Sequence, residues 1–330
     1  MAKMSIPERN FSLDLVRVTE SAALASARWL GKGNTDAGDG AAVDAMRVTL
    51  NNLNIKGRII IGEWEKDNAP MLYNGEEVGS GSGPALDIAI DPVEGTKLLA
   101  YGRPNAISVV GATPKGSMYD PGPSFYMEKL VVPPEARNVA DLDAPVADNL
   151  RNIARALGKD VDDLVVFVLD KPRHEKLIRQ IRETGARIQL HSDGDVCGAL
   201  MAVDPRADVD VMMGVGGTPE GVLAACAIKG LGGQMFTRLA PQSYVERENI
   251  DAHGIDLREI HTVESLIRSD DVFFAATGIS GGSFLRGVEY SKHFATTHSL
   301  VIRGKTGSLR YIESLQNLDK LMQFSEVKYD

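Results

Sequence analysis

Apolar residues recur at Leu13, Val16, Ala23, Leu24, Ala27 and Leu30, a spacing that keeps them on one side of a helix, and Gly31 follows where a helix end favours glycine. A second helix is predicted from about Ala41 to Leu53. The pattern then shifts to short β-branched or aromatic runs bounded by Gly or Pro. These predict strands over Arg58 to Gly62, Leu86 to Asp91, Ala106 to Thr113 and Phe125 to Val132. Beyond Pro145 the two patterns alternate: strand Leu164 to Leu169, helix Arg173 to Thr184, strand Ala186 to Leu190, helix Val196 to Val203, strand Val209 to Met213, helix Glu220 to Leu231. Such alternation predicts an α/β (α+β layered) fold in which helices and sheets alternate, with a parallel sheet in the second half. Pro133, Pro134 and Pro145 flank an acidic stretch, which sets a soft boundary near 134–148. The expected organisation is a first lobe over 1–140 and a second over 141–330, packed as one unit. No fixed-period repeat is present.

Composition narrows the chemistry. At 330 residues the chain buries a large core without staples. The net charge of −9 disfavours nucleic acid and anionic membrane surfaces, which reward an excess of Lys and Arg. An anionic ligand therefore has to be attracted locally. Met1 to Phe11 carries Lys3, Glu8 and Arg9 and lacks the apolar core of a secretory signal. No apolar run approaches the roughly 20 residues of a membrane span, so a cytoplasmic location is expected. Cys197 and Cys226 lie within helical patterns and are expected to be buried, reduced thiols.

The acids carry the signal. The first strand runs into Gly62-Glu63-Trp64-Glu65, where alternation puts Glu63 and Glu65 on one face and Trp64 on the other. The second runs into Asp91-Pro-Val-Glu-Gly-Thr96, where Pro92 removes a ladder donor and Gly95 permits a turn across which Asp91 and Glu94 converge. Adjacent carboxylates repel by about 1 kcal/mol per pair in water at 4 Å, and about 4 kcal/mol at an effective dielectric of 20. Such a cluster calls for cations, and an all-oxygen donor set suits Mg²⁺ or Mn²⁺. Taken alone, Glu63 and Glu65 also fit a solvated strand end, and the Asp91 segment a plain turn.

Gly214-Val-Gly-Gly-Thr-Pro-Glu-Gly221 lies between a strand and a helix, with Thr218 suited to the N-cap and Pro219 to the first turn, and its amides suit a phosphate. Lys171 and Arg173 follow a strand at the sheet edge where open α/β folds bind ligands, and two cations there suit an anionic group. An exposed basic turn is the alternative, and for Asp193-Gly-Asp195 a turn with Asp195 capping a helix. Arg303-Gly-Lys-Thr306 imitates a nucleotide loop, but Ser299 stands where the first glycine is required. Neither cysteine has an arginine at the spacing of a cysteine phosphatase. A non-catalytic anion binder has use for the cations but not for the acids.

The Asp91 to Thr96 segment resembles the metal motif of the lithium-sensitive phosphatase superfamily, which includes inositol monophosphatases and fructose-1,6-bisphosphatases. Ala37-Gly-Asp-Gly-Ala-Ala-Val43, Ala69-Pro-Met-Leu-Tyr73, Phe125-Tyr-Met-Glu-Lys129, Lys171-Pro-Arg-His174, Asp193-Gly-Asp195 and Gly214 to Gly221 resemble the bacterial class II fructose-1,6-bisphosphatases, from about Asn10 to Ser325. The resemblance implies a sugar-phosphatase-like layered fold and release of phosphate from fructose 1,6-bisphosphate in gluconeogenesis. It implies metal ligands at Asp39, Glu63, Asp91, Glu94 and Glu220, and a water-activating role for Thr96 with Glu63 and Asp91. It further implies substrate contacts at Glu94, Gly95, Thr96, Tyr126, Lys171, Pro172, Arg173, Asp193, Gly194, Asp195 and Gly217, with Mg²⁺ or Mn²⁺ as cofactor and a homo-oligomer, dimer or tetramer. Sedoheptulose 1,7-bisphosphate and inositol phosphates are the rival substrates, and a non-catalytic sugar-phosphate-binding protein is the rival class. Trp64 stands where the family pattern has glycine.

Overall fold

A computed structural model describes residues 10–63, 72–324, 327 and 329. The chain opens with helices α1 (Ser12–Ala27) and α2 (Thr35–Asn51), then β1 (Lys56–Ile61), β2 (Glu77–Val78), β3 (Ala85–Glu94), α3 (Thr96–Ala100), β4 (Ile107–Pro114) and β5 (Tyr126–Val132). It continues through α4 (Val146–Leu157), β6 (Val165–Leu169), α5 (Glu175–Glu183), β7 (Arg187–His191), α6 (Asp195–Met201), β8 (Val211–Gly217), α7 (Thr218–Leu231) and β9 (Gln234–Leu239). The remainder is α8 (Tyr244–Ala252), β10 (His261–Thr262), α9 (Val263–Leu266), β11 (Phe273–Gly278), β12 (Glu289–Tyr290), β13 (Phe294–Arg303), β14 (Ser308–Asn317) and α10 (Leu318–Phe324).

Two mixed sheets result. The first has the order β12-β13-β11-β4-β3-β1-β2, with β14 also on β13, and only β1 and β3 run parallel. The second has the order β10-β9-β5-β8-β6-β7. The expected parallel arrangement holds for β7, β6 and β8, whereas β5, β9 and β10 join antiparallel. The first sheet takes β1 to β4 from one side of residue 140 and β11 to β14 from the other, so the sheets do not divide at that point.

The layers follow from which face each side chain takes. On β4, Val109 enters the core between the sheets, while its neighbour Val110 packs under α1 and α2. On β6, Phe167 faces the central core, while Val166 and Val168 face α4 and α5. Strands buried on both faces read as continuous apolar runs, which is why the pattern in β4 and β6 shows no alternation. The stack is therefore α1/α2, first sheet, α6/α7/α9, second sheet, α4/α5. Between two sheets α7 has no wet face, and Val222 to Ile228 are all buried.

The boundaries differ from the pattern in informative ways. The first helix stops at Ala27, and Gly31 takes a left-handed conformation beyond further turns. The helix expected from Arg173 begins as a 3-10 turn over Pro172–His174 before α5. Residues 303–306, the imitation nucleotide loop, form the turn between β13 and β14, with Arg303 buried against Asp271. Cys197 and Cys226 are unbridged and buried, and burial pushes the Cys226 thiol up to about 12. Among the described residues no helix is long and apolar enough to cross a membrane.

Candidate active site

A cleft of about 540 Å³ opens between the two sheets, lined by Asp39, Glu63, Asp91, Glu94, Gly95, Thr96, Tyr126, Lys171, Arg173, Asp193, Asp195, Gly217 and Glu220 among others. Pro172 and Gly194 fall within the lining turns without lining the cleft themselves. Glu65, Trp64 and the Ala69 to Met71 part of the Ala69-Pro-Met-Leu-Tyr73 motif lie outside the described residues.

Each acid is delivered by the end of an element. Glu63 follows β1, where its N–H donates to Leu72 O at 3.0 Å, and Asp39 sits in the first turns of α2. Asp91 and Glu94 converge by a different route from the turn predicted. Strand β3 continues through Glu94, with Asp91 opposite Val109 and Glu94 opposite Ile107. Three steps on one strand against two on its neighbour make a β-bulge, and the extra residue brings two side chains that would point apart onto the same face. Left-handed Gly95 then ends the strand and starts α3, placing Thr96 at the first helical position.

Glu220 comes from the first turn of α7. Its N-cap is Gly217, so Thr218 is the first helical residue and uses its hydroxyl on Ser124 at 2.9 Å instead of capping. Asp195 likewise begins α6 after left-handed Gly194, and its carboxylate pairs with Lys129 instead of capping. Gly217 leaves room for the Glu220 carboxylate, since a Cβ there would stand 1.7 Å from Glu220 Oε2 and push it aside.

Electrostatics follow from the crowding. Desolvation first, then Glu63, Glu94, Glu220 and Asp39, raise the Asp91 carboxyl well above its ordinary range. Glu94 is raised by burial and then by Asp193 and Asp195, although the Val196 N–H donates to its Oε1 at 3.2 Å. Burial also raises Glu220, against the attraction of Lys129. Glu94 Oε2 and Glu220 Oε2 are buried without a hydrogen-bond partner. These are oxygens suited to a hard cation, whose binding would reverse the upward shifts. Among the described residues no group of three or more His, Cys, Asp or Glu side chains is drawn together closely enough to hold a metal ion, so the acids ring the cleft without meeting at one point.

The same cleft takes in two cations, Lys171 and Arg173. Arg173 donates from Nε to Val215 O at 2.9 Å, and its guanidinium lies 5.3 Å from the Tyr126 ring centroid. Lys171, Asp193 and Gly217 follow or end β6, β7 and β8, three mutually parallel strands, at the carboxyl edge predicted for ligands.

Two residues that position this cleft were not singled out in the sequence. Lys129 is buried in β5, pairs with Asp195 and donates to Gly217 O at 2.6 Å. Its signal was a lysine in phase with Met127 and Val131 on an apolar strand face. Glu246, also buried, accepts the N–H groups of Phe125 and Tyr126 at 2.7 and 2.9 Å and that of Gln242 at 2.9 Å. It stands on α8, and no local pattern pointed from there to Tyr126.

A family model described as bacterial fructose-1,6-bisphosphatase, glpX-encoded, matches residues 9–316. The chain belongs to this family. It is 45% identical over 325 residues to fructose-1,6-bisphosphatase 1 class 2 of Escherichia coli K12, covering 94% of this chain and 96% of that one. The class 2 fructose-1,6-bisphosphatases of Escherichia coli O6:H1 and of Shigella flexneri match with the same identity and coverage. As a member of the class 2 fructose-1,6-bisphosphatases the protein is a phosphoric monoester hydrolase, which accords with a cleft carrying both an acid ring and a basic turn.

Proposed function

We propose that this cleft releases phosphate from fructose 1,6-bisphosphate, yielding fructose 6-phosphate, with Asp39, Glu63, Asp91, Glu94 and Glu220 holding divalent ions. The observation that carries the reading is the pair of buried, unpartnered carboxylate oxygens of Glu94 and Glu220 within one cleft that also receives Asp91, Lys171 and Arg173. The family is metal-dependent, and the oxygen-only donor set favours Mg²⁺ or Mn²⁺ as the ion. When bound, such ions neutralise charge on the phosphoryl group and lower the pKa of water.

The chain's own residues do the rest. Lys171 and Arg173 hold the phosphate that does not react, and the Gly216-Gly217 backbone with Asp193 and Asp195 orients the sugar. Tyr126 covers the sugar while Arg173 stays near its ring. Thr96, at the start of α3 beside Asp91 and Glu94, orients the attacking water and takes part in moving its proton. Monoester hydrolysis is among the slowest uncatalysed reactions, so charge neutralisation is the principal requirement of the site. A homo-oligomer and a cytoplasmic location complete the reading.

Phosphate release from fructose 1,6-bisphosphate with Mn²⁺ or Mg²⁺, and with EDTA, tests it. Sedoheptulose 1,7-bisphosphate and inositol 1-phosphate serve as competing substrates. Metal-dependent release favouring the fructose ester is expected. Release that persists in EDTA, or in Asp91→Ala, would refute the metal assignment.

A further inference from the structure

His174 is buried, at 2% exposure, at the end of the turn that carries Lys171 and Arg173. Its Nδ1 lies 2.7 Å from Leu169 O, and its Nε2 lies 2.8 Å from Val215 N. A carbonyl oxygen only accepts and a peptide N–H only donates. The two partners therefore fix the ring as the neutral form with its proton on Nδ1. Val215 is held twice by adjacent residues, its N–H by His174 and its carbonyl by Arg173. Two residues on stands Gly217. The ring also rests against Gly214, whose φ of +139° is a glycine conformation and where a Cβ would come within 2.9 Å of Nε2.

We propose that neutral His174 is the positioning residue that fastens the basic turn to the glycine cradle, and that its protonation loosens the grip on the sugar bisphosphate while leaving the acid ring in place. The proposal rests on Lys171, Arg173 and Gly217 being substrate contacts. A proton on Nε2 would face the Val215 N–H, so two donors would meet where a hydrogen bond was. The charged groups facing the ring are Arg173 on its own turn and Asp195 on α6, which act in opposite senses. Burial lowers the His174 pKa from its ordinary value, so the neutral lock operates at neutral pH and fails on the acid side.

The test uses the full chain with saturating Mn²⁺ and measures KM and kcat for fructose 1,6-bisphosphate from pH 8 to 5.5 in wild type, His174→Ala, His174→Gln and Arg173→Ala. His174→Ala should raise KM roughly tenfold at pH 8, the value of about one hydrogen bond, with kcat little changed. Gln offers Val215 an untitratable carbonyl oxygen, so His174→Gln should keep the wild-type KM at pH 8 and lose part of its acid-side rise. A second readout, two-bond ¹H–¹⁵N NMR of the wild-type imidazole at pH 8, should show the neutral Nδ1–H tautomer. A His174→Ala enzyme with wild-type KM overturns the proposal, as does an imidazolium or Nε2–H signature at pH 8. If His174→Ala does not fold, a His174→Gln acid profile matching wild type overturns it. Arg173→Ala separates the failures: unchanged KM there removes the substrate turn itself, whereas raised KM there with no effect at His174 removes only the lock.

Discussion

Asp91 is the residue whose removal should strengthen the fold while ending its use. Four carboxylates, Glu63, Glu94, Glu220 and Asp39, and burial all act against its charge. The folded pKa values of Asp91, Glu94 and Glu220 lie above their unfolded ones. The stability linked to these groups is therefore present below the ordinary carboxylate range, near pH 4, and is lost as pH rises through the raised values. At pH 7.5 without divalent ions the ring is a liability. Repulsion between two carboxylates about 4 Å apart costs about 1 kcal/mol even in water, so removing the Asp91 charge through Asp91→Asn should gain stability on the order of 1 kcal/mol. For a chain of 330 residues, at about 2.1 cal/mol/K each, the unfolding entropy is near 0.7 kcal/mol/K. The metal-free variant should therefore melt about 1 to 2 °C above metal-free wild type. A cation at about a hundred times its Kd adds about 2.7 kcal/mol to wild type, or about 4 °C, and much less to the variant. Thermal melts in EDTA and in Mn²⁺, at pH 7.5 and at pH 5, read all four quantities, and the metal-free gap should narrow at pH 5. A metal-free Asp91→Asn protein melting below wild type, or a Mn²⁺ shift as large as that of wild type, would refute the reasoning.

Thr96→Ala should lower kcat by about 10²-fold or more with little change in KM, read by steady-state phosphate release. Gly217→Ala should drive Glu220 aside, because its Cβ would meet Oε2 at 1.7 Å, and lower kcat by about 10²-fold while the far-ultraviolet circular dichroism spectrum is kept. Glu246→Ala leaves three N–H groups without their acceptor, should cost roughly 2 to 4 kcal/mol in urea unfolding, and should raise KM through Tyr126. Asp87 is the contrasting acid: one oxygen accepts from Gly116, Ser117 and Met118 N–H. Asp87→Ala should destabilise the protein in urea yet leave the Mn²⁺-induced shift in melting temperature unaltered.

The gathering of Glu63, Asp91, Glu94 and Glu220 in one cleft was legible because each stands at or just beyond a strand end that the apolar pattern marks, and strand ends of a layered fold converge on one edge, whereas Asp39 comes from α2 and had no such signal. The means were less legible. A run of acid, proline, glycine and threonine looks like a turn, and only pairing with Val109 and Ile107 reveals the bulge that aligns Asp91 with Glu94. Thr218 and Asp195 carry capping side chains, but partners distant in sequence, Ser124 and Lys129, claim them. Strands β11 to β14 carried no expectation at all, since their pairing is decided by a first-half strand already in place, β4. The first helix was legible as an element but not in its faces: α1 is buried nearly all round, Thr19 and Glu20 included, while Leu13 and Leu30, read as part of its apolar side, are exposed.

The order of strands also sets an order of events. Everything in the second sheet, β5 through β10, is continuous in the chain, whereas the first sheet is interrupted after β4 and resumes only at β11. During synthesis β4 leaves the ribosome with one edge open, and its neighbour β11 arrives only after the whole second sheet has emerged. That apolar edge is a template for the wrong partner throughout the interval. Loss of the chain beyond Val272 would leave it open permanently, with the strand bearing Asp91 and Glu94 one place in from the gap. Completion of the last strands therefore closes the barrier to aggregation and, in the same step, seals the sheet on which the acid ring is mounted.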